Sequence, residues 1–490
     1  MVVSGTLMTG QFLMGYALLV GAKNFEIGLL ASVAMWAGLG SLLAPPIIER
    51  WRSNKGPTLL FLGTGRSGWL LAVIPALLGY GREPWMLWLL IAASGFFSLS
   101  GSMVYPGALS WLKGLVPSDI RGRYFARQNV IANLVAIAAL QAGGRFLDSW
   151  KGAFGKGSPH GFVICYAAGI LIASLGLNIR RKVPEARFSK EEARPSVRKL
   201  MLLPLGDPAF RRYVLFYGWY YFSFSIVAPF TMVYMLKHLN ISYSTIALLT
   251  NVSTISALLS ARIWGRLIDK FTPKPVLTLC YPFLCLLPPM WILATPNNYG
   301  ILYLLNLIGG VAGTGFALGL TNTIMRLAPK EHGSAYYAAE NSIISVCGAI
   351  GPLLGGWLAQ SMEGVEGQIW GMKLYNLHYV FLAGTAVRLG GIFLLKRIRQ
   401  PREKEVRHML RVIRRVPALR PATATWDAAH AIITVLRPVL NRGRFWRPRA
   451  IVEEPGGEEE TTPEEEKKAR AGTSPAPTRP DQGPGASAGH

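Results

Sequence analysis

Cysteine is scarce in this 490-residue sequence, and the four present, Cys165, Cys280, Cys285 and Cys347, all fall inside apolar stretches. Their spacing matches neither a metal site nor a disulfide framework, so we interpret them as small packing residues. A G-x-x-x-x-G-K-S/T loop is also absent, which argues against direct use of ATP. The apolar stretches hold no grouping of His, Cys and acids that indicates catalysis. We therefore expect a protein that is not an enzyme and needs no metal or cofactor.

Long apolar runs are what the sequence has in abundance, with 51% hydrophobic residues and 53 glycines. Twelve runs of about 20 residues are each long enough to cross a hydrocarbon core of ~30 Å. They lie at residues 3–22, 25–48, 58–80, 84–108, 125–147, 161–179, 211–236, 243–265, 275–294, 299–324, 337–361 and 376–396. Abundant glycine suits helices that pack closely within a membrane. The sequence therefore predicts an all-α polytopic membrane protein with 12 transmembrane helices, numbered here as spans 1 to 12.

Positive charge is unevenly distributed among the loops of this strongly basic chain, whose formal net charge is +25. Loops after even-numbered spans, through the tenth, hold 22 of the 51 Lys and Arg, whereas loops after odd-numbered spans hold seven. The positive-inside rule then predicts that the even-numbered loops and both termini are cytoplasmic. The net charge is thus mainly a topology signal plus a basic tail, and nucleic-acid binding is a weak alternative.

One stretch of the sequence occurs twice. Residues 115–148 align without a gap to residues 327–360, 212 positions later, and eight of the 34 aligned positions are identical. Each copy is a polar loop that starts at a proline and leads into an apolar helix ending in a glycine pair, Gly143-Gly144 or Gly355-Gly356. A recurrence of about 200 residues is too long for a solenoid unit and fits the two halves of a membrane transporter.

This duplication divides the chain into segments. We predict six-helix bundles at residues 1–180 and 211–396, joined by a basic middle loop at 181–210. A basic juxtamembrane segment at 397–450 and a disordered tail at 451–490 follow. Within the basic segment, Val406, Met409, Leu410 and Ile413 share one helical face. That face indicates either an interfacial helix on anionic lipid or a solvated basic segment.

Short charged motifs follow corresponding spans of the two halves. Span 8 ends in Gly265-Arg266-Leu267-Ile268-Asp269-Lys270, which resembles the G-x-L-x-D-R/K signature of the major facilitator superfamily. The equivalent site after span 2 departs from it, with Pro45-Pro46 in place of the glycine region and Glu49 in place of the aspartate. Pro117, Arg121, Gly122 and Arg123 resemble the loop between spans 4 and 5 in bacterial members. The resemblance covers residues 1–400 and says little about substrate.

The resemblance implies two pseudo-symmetric bundles that carry a small solute by alternating access, in a monomer located in the cytoplasmic (inner) membrane. It also implies that charges at the cytoplasmic helix ends hold the outward-facing state together; simple anchoring at the membrane surface is the alternative. The candidate gating residues are Gly265, Arg266, Asp269, Lys270, Glu49, Arg50, Arg121 and Arg123.

By the same resemblance, spans 1, 4, 7 and 10, with parts of spans 2, 5, 8 and 11, line a central cavity. Polar or aromatic residues at a suitable depth are Gln11, Trp36, Tyr105, Asn133, Gln141, Tyr217, Tyr221, Asn251, Asn306 and Trp357. For each one, packing or helix–helix hydrogen bonding is the competing interpretation. A cavity of amides and aromatic rings suits a neutral or amphipathic solute better than a small cation.

Ionisable residues within spans are costly and are therefore candidates for coupling. Arg66 and Arg388 each lie about eight residues from a span end, and snorkelling or pairing with backbone carbonyls is the alternative for both. Glu340 lies a turn inside span 11, where it carries a coupling proton or pairs with a cytoplasmic arginine. No acid lies near the middle of any span. Coupling thus uses a peripheral acid, an ion or a substrate group, or the carrier is a uniporter.

Two questions stay open at this point. Drug/proton antiporters of the superfamily carry an Arg in span 4 and a G-P-x-x-G-G run in span 5, whereas here that run lies in span 11, from Gly351 to Gly356. This lowers the prospect of drug antiport without excluding it. The second question is whether the chain transports at all, because a non-transporting sensor that signals through its long charged tail is the rival hypothesis.

Overall fold

The computed structural model describes residues 2–116, 118–155, 157–185, 203–329, 333–365, 367–369 and 372–398. Twelve helical segments in this part of the chain are long and apolar enough to cross a membrane, which confirms the predicted number. The predicted interfacial helix and the tail lie outside the described residues, as does most of the middle loop.

The helices follow the order of the apolar runs. In the first half they are Val2–Met8 and Gln11–Leu19 (span 1), Asn24–Trp36 and Ala37–Leu42 (span 2), Lys55–Ser67, Leu70–Pro75 and Ala76–Tyr80 (span 3), Met86–Leu115 (span 4), Ser118–Phe154 (span 5) and His160–Arg181 (span 6). A short helix, Ala44–Trp51, lies between spans 2 and 3. In the second half they are Pro208–Val233 and Tyr234–His238 (span 7), Tyr243–Phe271 (span 8), Pro273–Met290 and Trp291–Leu293 (span 9), Ile301–Leu327 (span 10), Gly333–Ser361 (span 11) and Asn376–Arg397 (span 12). The strands Gly367–Ile369 and Met372–Leu374 form an antiparallel hairpin between spans 11 and 12.

Span boundaries follow local sequence signals. Asp207 caps span 7 by accepting a hydrogen bond from the Ala209 amide at 2.8 Å, and Pro208 occupies the first helical position, where its missing N–H costs nothing. Span 1 is broken at Gly10, whose φ of 59° and ψ of −128° suit glycine alone. The helix ends are thus set by caps and by backbone conformation rather than by hydropathy.

Each half is a bundle in which the spans pack mainly on members of the same half. Span 1 packs on spans 5 and 6, and span 3 on spans 4 and 6; in the second half span 7 packs on spans 11 and 12, and span 10 on spans 8 and 9. Two pairs of helices make most of the described contacts between the halves, span 2 with span 11 and span 5 with span 8. The candidate site lies along these two seams.

Candidate functional site: the interface between the two halves

The seam between spans 2 and 11 extends over most of both helices. At one end the Phe25 amide donates to the Gln360 side-chain oxygen at 3.3 Å, and at the other Asn341 donates to the Ser41 hydroxyl at 3.1 Å. Between them, the Ser32 hydroxyl donates to the Ala349 carbonyl at 2.6 Å. Close backbone approach of this kind needs small residues, and Gly28 faces the Pro352 carbonyl directly. This seam therefore holds the halves together along its length.

The seam between spans 5 and 8 is shorter. Asp148 of span 5 accepts hydrogen bonds from the amides of Tyr243 at 2.9 Å and Ser244 at 2.8 Å, at the start of span 8. Deeper along the seam, Asn251 donates to the Gln141 side-chain oxygen at 3.4 Å, and a groove of about 550 Å³ lies beside this pair. Two of the ten predicted binding residues thus meet across this seam.

The loops after odd-numbered spans lie at one end of the molecule, which we term the odd-loop end. The loops after even-numbered spans lie at the opposite end, which we term the even-loop end. The largest apolar core lies toward the odd-loop end and includes Phe12 and Tyr166 of the first half with Phe230 and Phe381 of the second. At the even-loop end the apolar clusters of the two halves are separate, one around Phe210 and the other around Ala44, Ile48 and Met103.

Exposure along spans 5 and 8 agrees with this division. On the even-loop side of the seam, Ile131 of span 5 and Ile255 of span 8 are 37% and 45% exposed, and Tyr124 near the start of span 5 is 43% exposed. On the odd-loop side, Tyr243 is 4% exposed. The described helices therefore share one apolar core at the odd-loop end, whereas the described apolar clusters of the two halves are separate at the even-loop end.

Aromatic and acidic side chains come together between spans 7 and 11. The Tyr213 hydroxyl donates to the Glu340 carboxylate at 2.5 Å, and Tyr217 and Tyr221 lie one and two turns further along the same face of span 7. The rings of Tyr217 and Tyr221 meet edge to face at 5.4 Å. Two predicted binding residues and the predicted coupling acid thus form one cluster, termed here the tyrosine–Glu340 cluster.

The other predicted binding residues are dispersed. Gln11 is 2% exposed, and both atoms of its amide lack a hydrogen-bond partner among the described residues. Asn133 donates to Asn129, and Asn306 to the Leu302 carbonyl, each within its own helix. The aromatic side chains in the set are exposed, namely Trp36, Tyr105 and Trp357. The role of these six residues in binding stays a prediction.

The predicted gating residues lie at the even-loop end. Arg50, Arg266, Asp269 and Lys270 are exposed, and a side chain at Gly265 would meet nothing within 4 Å. The side chains of Glu49, Arg121 and Arg123 lie outside the described part of the structure. The gating role of the whole set stays a prediction.

The two arginines within spans contact backbone carbonyls. Arg66 donates to the Leu62 carbonyl at 2.9 Å in its own helix. Arg388 is 4% exposed and bridges helices, because it donates to the carbonyls of Leu284 at 2.8 Å and Ser223 at 3.5 Å. Both arginines therefore pair with backbone carbonyls, and their role in coupling stays a prediction.

Sequence reasoning missed two acidic side chains that fasten elements together. One is Asp148, which lies at the last position of the duplicated stretch. The other is Glu185, which accepts hydrogen bonds from the amides of Asn54 at 2.7 Å and Lys55 at 2.9 Å and so fixes the start of the middle loop to the start of span 3. For Asp148, the available signal was its alignment with Gln360 in the second copy.

Comparison with known proteins agrees with this architecture. Residues 214–452 match the sequence model of the Major Facilitator Superfamily. A mutant of the nucleoside transporter NupG superposes with a TM-score of 0.60, covering 81% of this chain and 98% of that one at 13% identity. A bacterial homologue of the lysosomal transporter Spinster, inward-facing and unoccupied, gives a TM-score of 0.53, covering 81% and 93% at 14% identity.

The predicted resemblance is therefore confirmed: residues 214–452 match the superfamily in sequence, and both halves have its fold. The chain is also a multi-pass membrane protein. The multi-drug resistance efflux pump PmrA of Streptococcus pneumoniae is 34% identical over 145 residues, 28% of this chain and 35% of PmrA. The quinolone resistance protein NorA of Staphylococcus aureus is 26% identical over 140 residues, 29% of this chain and 35% of NorA. The chain thus aligns with about a third of each of these relatives.

Proposed function

We propose that this protein is a secondary transporter of the cytoplasmic membrane that moves a small solute by alternating access, as a monomer with both termini in the cytoplasm. The observation that carries the proposal is the asymmetry of the interface, because the two halves share one apolar core at the odd-loop end and have separate described apolar clusters at the other. With the odd-loop end outside, as the loop charges predict, the structure is the inward-facing state.

The proposed substrate is an amphipathic solute with a positively charged group, and the proposed direction is export. The tyrosine–Glu340 cluster supports the charge, because aromatic faces and a half-buried carboxylate both attract an organic cation. The names of PmrA and NorA, an efflux pump and a quinolone resistance protein, support export. The residues predicted to line the cavity favour a neutral or amphipathic solute, and the clustering of Glu340 with the tyrosines adds the positive charge.

The gating proposal for the even-loop charges fits the same cycle. Asp269, Arg266 and Lys270 are exposed in the inward-facing state and, on this proposal, pair with charges of the neighbouring loops once the even-loop end closes. The membrane-sensor hypothesis gains no support from the fold or from the relatives.

The proposal is tested by loading proteoliposomes or intact cells with a panel of cationic and neutral amphipathic dyes and measuring efflux for the wild type and Glu340→Gln. Loss of a charge–charge interaction of ~1.4 kcal/mol corresponds to about a tenfold loss of affinity, so Glu340→Gln should lower cationic-dye efflux about tenfold. Neutral-dye efflux should change little.

The matched control is Glu363→Gln, which removes an exposed acid just beyond the same helix and should leave efflux unchanged. Equal losses for cationic and neutral dyes would contradict the assigned role of Glu340. No efflux of any dye by correctly inserted wild-type protein would contradict the proposed function itself.

A further inference from the structure

The duplicated stretch ends, in both copies, in a side-chain oxygen that reaches across to the other half. Asp148 is the last residue of the first copy and Gln360 the last of the second. Asp148 accepts from the first two amides of span 8, those of Tyr243 and Ser244, whereas Gln360 accepts from the second amide of span 2, that of Phe25. The two seams are thus closed by equivalent positions of the internal repeat.

A glycine pair lies about one helical turn before each of these residues. In each pair, one glycine contacts its own half of the molecule and the other contacts the opposite half. The first glycine faces its own half: a side chain at Gly143 would meet Phe12 and Leu7 of span 1. The second faces the opposite half. A Cβ at Gly144 would lie 2.8 Å from the Tyr243 carbonyl oxygen, and one at Gly356 would lie 2.8 Å from the Asn24 carbonyl oxygen. Each copy therefore brings a helix end of the other half within reach of its final side chain.

The two caps differ in charge, and this difference makes one of them stronger. A carboxylate that accepts two backbone hydrogen bonds at a helix N-terminus is stabilised both by charge-assisted bonding and by the helix dipole. Gln360 is neutral and accepts one longer bond of 3.3 Å. Around the Asp148 cap, Tyr243 is buried and the Lys151 ammonium lies 4.2 Å from the centre of its ring. The charged member of the pair is therefore on the seam between spans 5 and 8.

We propose that Asp148 latches the odd-loop end shut by capping span 8 from the opposite half, and that release of this carboxylate is required for that end to open. Gln360 is its weaker counterpart on the other seam. The inference rests on the proposed alternating-access function, and it assigns a positioning role to Asp148 rather than contact with the solute. A cap that only stabilised span 8 would come from span 8 itself, as Ser242 does when it accepts from the Thr245 amide at 3.2 Å.

The test is hydrogen–deuterium exchange by mass spectrometry on the full-length protein in lipid nanodiscs, without any solute. In Asp148→Asn, the amides of Tyr243 and Ser244 should exchange up to about fivefold faster, because asparagine keeps one carbonyl acceptor but loses the negative charge that the helix N-terminus stabilises. If the cap is a latch, opening of the odd-loop end closes the other one. Exchange around Tyr124 and Arg266 at the even-loop end should therefore become slower in the same variant.

Two matched comparisons accompany this measurement. Glu26→Gln removes an acid that caps span 2 within its own half, by accepting from the Lys23 amide at 2.7 Å, and should alter exchange only locally. Gly144→Ala places a methyl group against the Tyr243 backbone and leaves Asp148 unchanged. It should produce the same changes in exchange at both ends, even if Asp148→Asn fails to insert. Gly152→Ala, in the same helix with nothing within 4 Å, should not.

Faster exchange confined to Tyr243 and Ser244 would overturn the latch, because it would show a purely local cap. Unchanged exchange in a folded Asp148→Asn would overturn it as well. Neither outcome depends on finding a substrate. A failed latch is thereby distinguished from a failed transport proposal, which the dye efflux of the wild type decides.

Discussion

At the scale of single residues, Arg388 shows how a buried charge is accommodated without an acid. Its guanidinium donates to the carbonyls of Leu284 on span 9 and Ser223 on span 7, and it lies 5.8 Å from the ring centres of Tyr220 and Phe224. The planar guanidinium has several donors in fixed directions, so it donates hydrogen bonds to two helices at once. Its positive charge is also stabilised by cation–π contacts with the two aromatic rings. Arg388 therefore acts as a brace between three helices.

We expect Arg388→Lys to destabilise the protein although the charge is kept. A lysine ammonium does not span both carbonyls, so one buried acceptor loses its partner at a cost of about 1–3 kcal/mol. The midpoint of thermal unfolding in detergent should fall by several degrees. Arg397→Lys, at the exposed end of the same helix, is the control and should leave the midpoint unchanged. A midpoint equal to that of the wild type would show that the charge alone is needed.

At the scale of elements, the break in span 1 depends on the backbone of a single residue. Gly10 has a positive φ of 59° with a ψ of −128°, and a Cβ there would meet nothing within 4 Å. Steric crowding by neighbours is thus not the reason for glycine at this position; the reason is the conformation itself, which side chains rarely adopt. The break lies next to Gln11, whose buried amide lacks a described partner.

Gly10→Ala should therefore cost about 1–3 kcal/mol, the range for backbone strain at such a position. We expect a lower thermal midpoint and less folded protein in the membrane, measured by fluorescence-detected size exclusion. Gly5→Ala lies in the helical part of the same span, also with nothing within 4 Å, and should be neutral or slightly stabilising. If both variants behave alike, the break is not needed for folding.

The positions of the helices could be predicted from the sequence, whereas the contacts between them could not. Hydropathy gave all twelve spans, because each apolar run must bury its backbone within a helix. The repeat gave two halves, and the glycine pairs predicted close packing. The partner of each glycine was not predictable, because Gly143 faces its own half and Gly144 the other, although they are neighbours. Contacts such as Tyr213 with Glu340 join residues 127 positions apart and depend on how the spans are arranged.

At the scale of the whole molecule, the proposed transport cycle requires spans 5 and 8 to separate at the odd-loop end. Gln141 and Asn251 face each other across this seam at 3.4 Å, so cysteines at these positions can be joined by a short bifunctional thiol reagent. In a background with the four native cysteines replaced, and once transport by that background is established, joining Gln141→Cys to Asn251→Cys should stop transport. A cleavable reagent should allow transport to recover after reduction.

On the proposed function, the locked protein should still bind its solute, because Tyr217, Tyr221 and Glu340 are partly exposed in this state and do not lie on the joined seam. Solute should therefore raise its thermal midpoint as it does for the wild type, by mass action on the folded state. Thr295→Cys with Asn298→Cys, a bridged pair within one half at the same end, controls for the chemistry and should transport when joined. Transport that continues after complete cross-linking of Gln141→Cys to Asn251→Cys would show that the odd-loop end opens elsewhere. Loss of solute binding would show that the cross-link damages the binding site rather than the motion.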